Sequence, residues 1–160
     1  MDSLNNCIRE YTNQLSKGQI QKAYKGIMTF MSGLKKYLEG RYPDYTASAL
    51  YSGYMDMTYF AFTPPDLKNR KLKIAVVYLH EEGRFEAWLG GNNRKIQSEY
   101  IDLMSRKSIV KYKLSQVSPG VDSIIESILV GQPDFDHTEE LRKQIERKMM
   151  ELVNDITSIL

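Results

Sequence analysis

One stretch of the sequence gathers residue types that can recognise a ligand. From Arg84 to Lys95 it reads Arg-Phe-Glu-Ala-Trp-Leu-Gly-Gly-Asn-Asn-Arg-Lys, and it contains the only tryptophan, Trp88. A strand that ends in Gly-Gly and runs into a helix leaves unsatisfied N–H groups at the helix start, and the helix dipole attracts anions there. This corner therefore predicts a site for a small anionic molecule or a protein partner, with five candidate residues: Trp88, Asn92, Asn93, Arg94 and Lys95.

The same corner also has a purely structural interpretation. Gly90 and Gly91 can supply the backbone angles of a turn, and Asn92 or Asn93 can serve as the N-cap of the following helix. The spacing matches neither a Walker loop nor a dinucleotide-binding fingerprint. The sequence favours the structural interpretation and leaves the anion site as the functional alternative.

Trp88 shares a strand face with Glu86 and Arg84 if the residues alternate regularly between the two sides. Either helices cover both faces of the sheet, or Trp88 lines a cleft, and covered faces are the commoner arrangement. A buried Glu86 requires a partner, which Arg84, Arg94 or Tyr54 can supply.

The elements that position these residues follow from hydrophobic periodicity. A helical spacing predicts helices at residues 4–15, 20–38, 93–106 and 118–131 and from Asp136 to the end of the chain. Alternation predicts strands at 49–62, 71–80, 84–89 and 109–115. The order ααβββαβαα indicates an α/β protein of the α+β type, with about four strands in a mixed sheet and flanking helices.

Length and composition indicate a single domain over residues 1–160. The apolar content of 42% and the charged content of 26% are typical of a soluble globular chain with one core. The segment Met1 to Cys7 lacks the pattern of a signal peptide, and no apolar run is long enough to span a membrane. These features predict a cytoplasmic protein without a membrane partner.

The charge is distributed unevenly along the chain. Residues 68–113 carry eleven Lys or Arg against five acids, a net of +6, and residues 114–160 carry four against nine, a net of −5. A basic centre can bind nucleic acid or another polyanion, or it can face the acidic tail. A basic surface can be formed by the run Lys68, Arg70, Lys71 and Lys73 together with Lys111 and Lys113. Three tyrosines can stack on bases beside this surface: Tyr51, Tyr54 and Tyr59.

Part of this order resembles a known superfamily. The order αβββαβ and the pair Pro65-Asp66 followed by Glu86-Ala87-Trp88 resemble the restriction-endonuclease-like core, whose signature is Pro-Asp, then an acid, any residue and Lys. The resemblance implies that two carboxylates hold Mg²⁺ and that the lysine orients the attacking water. Trp88 occupies the lysine position and can do neither, and Asp66 also fits a helix-capping role.

A divergent metal-dependent nuclease or nucleic-acid-binding protein is therefore the alternative function. Its catalytic candidates are Asp56, Asp66 and Glu86, and Mg²⁺ is expected only in that case. Otherwise no metal or cofactor is predicted. His80 and His137 belong to no zinc-ligand spacing and no nucleophilic triad, so the sequence favours a protein that is not an enzyme.

A second resemblance covers the corner itself. The segment from Phe85 to Arg94, with the strand from Tyr54 to Tyr59 upstream, is similar to the signature of a family of small uncharacterised bacterial proteins, a domain of unknown function. This resemblance implies a bacterial origin and supplies no activity.

The last helix carries an apolar stripe that continues to Ile159 and Leu160. The stripe can pack on the sheet of its own chain or on a second chain. A homodimer is thus a further alternative.

Overall fold

The computed structural model describes residues 3–107 and 111–160. Within these ranges it contains five helices and seven strands. The helices are α1 Leu4–Ser16, α2 Gln19–Arg41, α3 Pro65–Asn69, α4 Arg94–Arg106 and α5 Thr138–Ile159. The strands are β1 Thr46–Ala47, β2 Tyr51–Ser52, β3 Met57–Thr63, β4 Leu72–Leu79, β5 Arg84–Gly91, β6 Lys113–Leu114 and β7 Ser123–Val130.

The sheet has the order β1-β3-β4-β5-β7-β6, and β2 pairs with β3. The α+β class is confirmed, but every strand pairing in the described ranges is antiparallel, so the mixed sheet that was predicted is wrong. The reason lies in the connection from β5 to β7. Gly90, at the end of β5, pairs with Ser123, at the start of β7, so this connection leaves and re-enters the sheet at one end.

The hydrophobic core lies between one face of the sheet and the helices α2, α4 and α5. Phe85, Ala87 and Leu89 of β5 point into it and are fully buried. Six apolar side chains of α5 are buried in the same core: Leu141, Ile145, Met149, Leu152, Val153 and Ile156. The apolar stripe of the last helix therefore packs on the sheet of its own chain.

The segment predicted as a helix at residues 118–131 is mainly the strand β7, so this prediction is wrong. Two register shifts explain the misleading pattern, because the pairing with β5 slips between Leu89 and Gly90 and again between Phe85 and Glu86. Each bulge adds one buried residue, Ile124 and Leu129. The apolar residues consequently have the spacing of a helix although the backbone is extended.

Two other strand predictions are also corrected. The strand expected at residues 49–62 is a hairpin of β2 and β3, whose turn includes Met55 in the left-handed region, at φ 65°. The strand expected at 109–115 is reduced to Lys113–Leu114, and residues 109 and 110 lie outside the described ranges. Neither correction changes the central strands β4 and β5.

Most helix boundaries agree with the sequence signals. Gly18 has φ 80° and separates α1 from α2, and the Asn93 side chain accepts a hydrogen bond from the N–H of Ile96 at the start of α4. The N-cap of the short helix α3 is Pro64, which has no side-chain capping bond, and the hydroxyl of the preceding Thr63 accepts the N–H of Ile74. None of the helices in the described ranges combines the length and apolar character that a membrane crossing requires.

Candidate functional site

The sheet face that lies opposite the core carries a concavity of about 480 Å³, which we call the open-face pocket. Its floor is formed by alternate residues of the two central strands, Ala75 and Val77 of β4 and Trp88 and Gly90 of β5. The space for this concavity exists because Ala75 has only a methyl side chain and Gly90 has none. Trp88 is partly exposed and lines this concavity, so of the two alternatives that the sequence left open for Trp88 the structure has the cleft.

Some of the candidate residues predicted from the sequence line this pocket and others do not. Trp88, Asn92, Asn93 and Arg94 line it, together with Asp56. Three other candidates are not among the lining residues: Lys95, Asp66 and Glu86. The pocket therefore brings together four of the five residues proposed for ligand binding.

The indole of Trp88 is held in place by Glu86. Its Nε1–H donates a hydrogen bond of 2.8 Å to Oε1 of Glu86, and Nε of Arg84 donates one of 2.6 Å to Oε2. Glu86 is only 3% exposed, so both carboxylate oxygens have the partners that burial demands. Trp88 itself is partly exposed and lines the pocket. The hydrogen bond from its Nε1–H to Glu86 fixes the orientation of the ring.

The start of α4 is largely occupied by internal contacts. Asn93 caps the helix, the N–H of Asn92 donates to the carbonyl of Lys71, and Arg94 donates to the carbonyl of Val121. Arg94 also forms an ion pair of 3.3 Å with Asp122. The structural role predicted for an asparagine here is thus observed at Asn93, and most of the charge of Arg94 is directed at the neighbouring loop.

The two glycines of the corner have different roles. A Cβ atom on Gly91 would lie 2.8 Å from the backbone nitrogen of Gln97, so the close approach of α4 requires a glycine at this position. A Cβ atom on Gly90 would meet nothing closer than 3.5 Å, and the φ of Gly90 lies outside the left-handed region. Gly90 is therefore not required by the backbone, and its missing side chain opens the pocket.

Lys73 is the cation on the pocket floor. It pairs with Gly90 across the strands and is exposed. Among the residues that the structure describes, Lys73 has no ion-pair or hydrogen-bond partner, whereas Arg94 is paired with Asp122. Lys73 is thus the lining cation whose charge is available to an incoming anion.

Aromatic side chains stand on both sides of β4. Tyr59 of β3 pairs with Val77, and Trp88 of β5 pairs with Ala75, so the two aromatic residues are separated by two strand spacings, roughly 10 Å, and by two residue steps along the strands. Tyr51 packs against Tyr59 with ring centroids 4.9 Å apart. The floor at Ala75 and Val77 is therefore flanked by aromatic surfaces on which a planar group can stack.

The carboxylates of the nuclease alternative are not brought together. Leu72, the first residue of β4, pairs with Gly91, which is five residue steps or roughly 16 Å along the strand from Glu86. Asp66 lies before β4 on α3, whose Leu67 is buried in the core on the opposite face. A shared ion requires both carboxylates within its short ligand bonds, so Asp66 and Glu86 do not form such a pair.

Asp56 is also separate from both acids. Its Oδ1 accepts the N–H of Met57, and its carbonyl accepts the N–H of His80, beyond the far end of β4 from α3. In the described ranges, no group of three or more His, Cys, Asp or Glu side chains is suited to hold a metal ion. The three acids proposed for the nuclease alternative therefore do not converge on one point of the structure.

A second buried carboxylate, Glu146 of α5, lies on the core side and joins two helices. It accepts hydrogen bonds from two side chains of α2, Tyr37 at 2.8 Å and Arg41 at 2.5 Å, and from Tyr42, the residue that follows α2, at 2.7 Å. Burial raises the pKa of Glu146, but the bonds from Tyr42, Arg41 and Tyr37 outweigh burial and hold this pKa below its ordinary value. Local sequence patterns carry no signal for this cluster, because its partners are more than a hundred residues apart.

His80 packs into an aromatic cluster. Its Nε2 lies 2.8 Å from Oγ1 of the buried Thr58, and its ring stacks on Tyr24 with centroids 5.8 Å apart. Burial lowers the pKa of His80, and the nearby charge of Asp56 opposes this effect. Because Thr58 is fully buried, the pair is a packing contact and not an accessible nucleophile with its base.

Several residues that line the open-face pocket were assigned to a different surface in the sequence-based prediction. Lys73, Tyr51 and Tyr59 were part of a predicted basic and aromatic surface, whereas here they meet the Trp88 corner. The register of the β4–β5 hairpin identifies Lys73 as a residue of the pocket. Once Leu79 pairs with Arg84, the antiparallel pairing places Lys73 opposite Gly90. Ser123 was missed, since β7 was predicted as a helix.

The fold and the pocket define a small α+β protein whose antiparallel sheet has one helix-covered face and one open face. The chain belongs to a family described as Domain of unknown function (DUF7000), whose model matches residues 4–160. No curated protein matches the chain, and no solved structure matches it. The resemblance to an uncharacterised family is confirmed, and the likeness to the restriction-endonuclease-like superfamily gains no support from these comparisons.

Proposed function

We propose that the protein binds a small, planar, anionic molecule in the open-face pocket. The observation that carries this proposal is the combination of a partly exposed indole, fixed by Glu86, with a lysine on the same pocket floor that has no partner among the described residues. In this arrangement the planar group stacks beside Trp88 and Tyr59, and the anion pairs with Lys73.

The dimensions of the pocket support this ligand class. Its volume of about 480 Å³ falls in the range of small-molecule sites, roughly 300–1,000 Å³. Lys73 is two residue steps, roughly 7 Å, along β4 from Ala75, where the planar group would lie. A molecule that carries its charge about that far from an aromatic ring, such as a nucleoside monophosphate or an aromatic carboxylate, matches both features.

The single tryptophan provides a direct test, since all indole fluorescence comes from Trp88. Purified protein is titrated with adenosine monophosphate, other nucleoside monophosphates and benzoate, none of which contains an indole. The matched fragments are adenosine, which lacks the charge, and ribose 5-phosphate, which lacks the ring. We expect at least one aromatic anion to change the emission saturably and each of its fragments to bind at least about tenfold more weakly. No saturable response from any aromatic anion would overturn the proposal.

Two lysine variants locate the charge. We expect Lys73→Met to weaken binding by about tenfold, because one charge-assisted hydrogen bond is lost. Lys95→Met is the matched control, since Lys95 is exposed and is not among the residues that line the pocket. If Lys95→Met abolishes binding and Lys73→Met does not, the anion binds at the start of α4 and the proposed arrangement is wrong.

A glycine variant tests the floor without removing any contact. Gly90→Ala places a methyl group on the pocket floor in ordinary van der Waals contact with Lys73. We expect it to weaken ligand binding several-fold and to leave the thermal unfolding midpoint close to that of the wild-type protein. Unchanged affinity for Gly90→Ala would show that the ligand does not lie over Gly90.

A further inference from the structure

Helix α1 presents an apolar stripe that its own chain leaves exposed. Leu4, Ile8, Tyr11 and Leu15 follow one another at steps of four, three and four residues. Leu4 is 76% exposed, Ile8 49% and Tyr11 56%, and α1 has no buried residue, although it packs beside α2. This contrasts with α5, whose apolar stripe is covered by the sheet.

The length of α1 makes the exposure of this stripe unfavourable. A helix of 13 residues is marginal in water, because most helical stability comes from burial of an apolar face. Ser3 caps α1, and its hydroxyl accepts the N–H of Asn6, but capping alone adds little. A surface that covered Leu4, Ile8 and Tyr11 would supply the missing stabilisation.

The spacing and charge of α1 identify the kind of surface. Alternating steps of three and four residues give one narrow apolar stripe, which can pack on a sheet, as in α5, or form the seam between two helices. The side chains that flank the stripe, such as Asn5, Thr12 and Gln14, are uncharged, and the single charges of Arg9 and Glu10 cancel. Helices that lie on lipid are rich in Lys and Arg on the polar face, which α1 is not.

We propose that α1 packs against α1 of a second copy of this chain across a twofold axis. A narrow, neutral, self-complementary seam suits such a contact, because the same surface is used by both copies and no charge is repelled. Each helix is only about 20 Å long, so the contact is smaller than a standard interface of about 1,600 Å². The dimer is therefore weak and depends on protein concentration.

Sedimentation velocity of the full chain over a roughly hundredfold range of concentration tests this weak dimer. We expect the average mass to rise towards twice that of the chain, and Ile8→Glu to keep the protein monomeric throughout. Ile128→Glu is the matched control, since Ile128 is 54% exposed on β7 and should leave the association unchanged. At protein concentrations where the wild-type chain is monomeric, Ile8→Glu is expected to keep the wild-type thermal unfolding midpoint, because α1 has no buried residue.

The single cysteine offers a second readout, because Cys7 is exposed and lies next to Ile8. A short bismaleimide should link two wild-type chains and fail to link two Ile8→Glu chains. A wild-type chain that stays monomeric at every concentration would overturn the proposal, as would a dimer that Ile8→Glu does not affect. Monomers that bind anionic lipid vesicles through α1 would also overturn it and assign the stripe to a membrane surface.

Discussion

Glu86 and Glu146 are two carboxylates of similar burial, 3% and 8% exposed, that are held in different ways. Glu146 accepts its hydrogen bonds from a helix more than a hundred residues away in the sequence, so it joins α5 to α2. Glu86 accepts its bonds from residues two positions away on its own strand, Arg84 and Trp88. The first acid connects elements, whereas the second orients one side chain.

This comparison shows that burial alone does not identify a functional acid. A carboxylate whose partners come from another element contributes to the fold, because its loss separates the two elements. A carboxylate whose partners are local contributes little to the fold and is better placed to set the position of a ligand-facing group. On this criterion Glu86 serves the open-face pocket as a positioning residue for Trp88.

The largest expected effect in this comparison is on stability at Glu146. Glu146→Ala removes the acceptor of two tyrosine hydroxyls and of Arg41, and we expect a loss of about 2 kcal/mol in the free energy of unfolding. The share from Arg41 is small, since its side chain is 56% exposed. Urea unfolding measures the change. Glu39→Ala, which removes an exposed pair with Lys35, is the control and should cost about 0.5 kcal/mol or less.

Acid should remove the contribution of Glu146 selectively. Its pKa in the folded protein is below the ordinary value of 4.5, so the stabilisation is complete above that value and is lost as the pH falls through the lower pKa of the folded state. We expect the wild-type protein to lose more stability than Glu146→Gln between about pH 5 and pH 2. Equal losses in urea titrations of the two proteins would contradict the role assigned to Glu146.

A smaller stability effect is expected at Glu86, together with a clear effect on Trp88. Glu86→Ala should cost about 1 kcal/mol, because Trp88 and Arg84 are partly exposed and can bond to water instead. The indole loses its anchor, so its fluorescence anisotropy should fall, and ligand affinity should decrease several-fold. If Glu86→Ala destabilises the protein as much as Glu146→Ala, the distinction between the two acids is wrong.

The smallest effect is expected at Arg84, whose side chain is 37% exposed. Arg84→Ala leaves the bond between Trp88 and Glu86 in place, and water can reach Oε2 of Glu86 through the space that the partly exposed Arg84 side chain vacates. We therefore expect a stability change within about 0.5 kcal/mol and an unchanged anisotropy of Trp88. Chemical unfolding and polarised emission check the two quantities. A mobile indole in Arg84→Ala would show that Arg84 is also needed to hold Glu86.

The sequence predicted the elements whose hydrophobic period is undisturbed. Helices α1, α2, α4 and α5 and strands β4 and β5 lie close to their expected positions. Strand β7 was missed because bulges at Ile124 and Leu129 place consecutive residues in the core, and a local pattern does not reveal a bulge that depends on the partner strand. The short edge strands are set mainly by pairing with β3 and β7 and carry little pattern of their own.

The candidate site was predicted in part. The corner around Trp88 was identified from its residue types, but which sheet face is covered depends on how the helices pack, and alternation alone does not decide this. Tyr59 and Val77 also make the open face look like a second core face. Lys73 belongs to the pocket only through its pairing with Gly90, a contact across the hairpin.

The connection from β5 to β7 has a consequence for how the chain folds. Strands β3, β4 and β5 pair with their neighbours in sequence, whereas β7 reaches β5 only after α4 and β6 have been passed. Loop-closure entropy favours the shorter connections first, so we expect the β3–β4–β5 meander to form before β7 docks. Glu126 of β7 pairs with Trp88, and the indole fluorescence should therefore follow the late docking step during refolding. The open-face pocket is then completed late in folding, when β7 docks and places Ser123 beside Gly90.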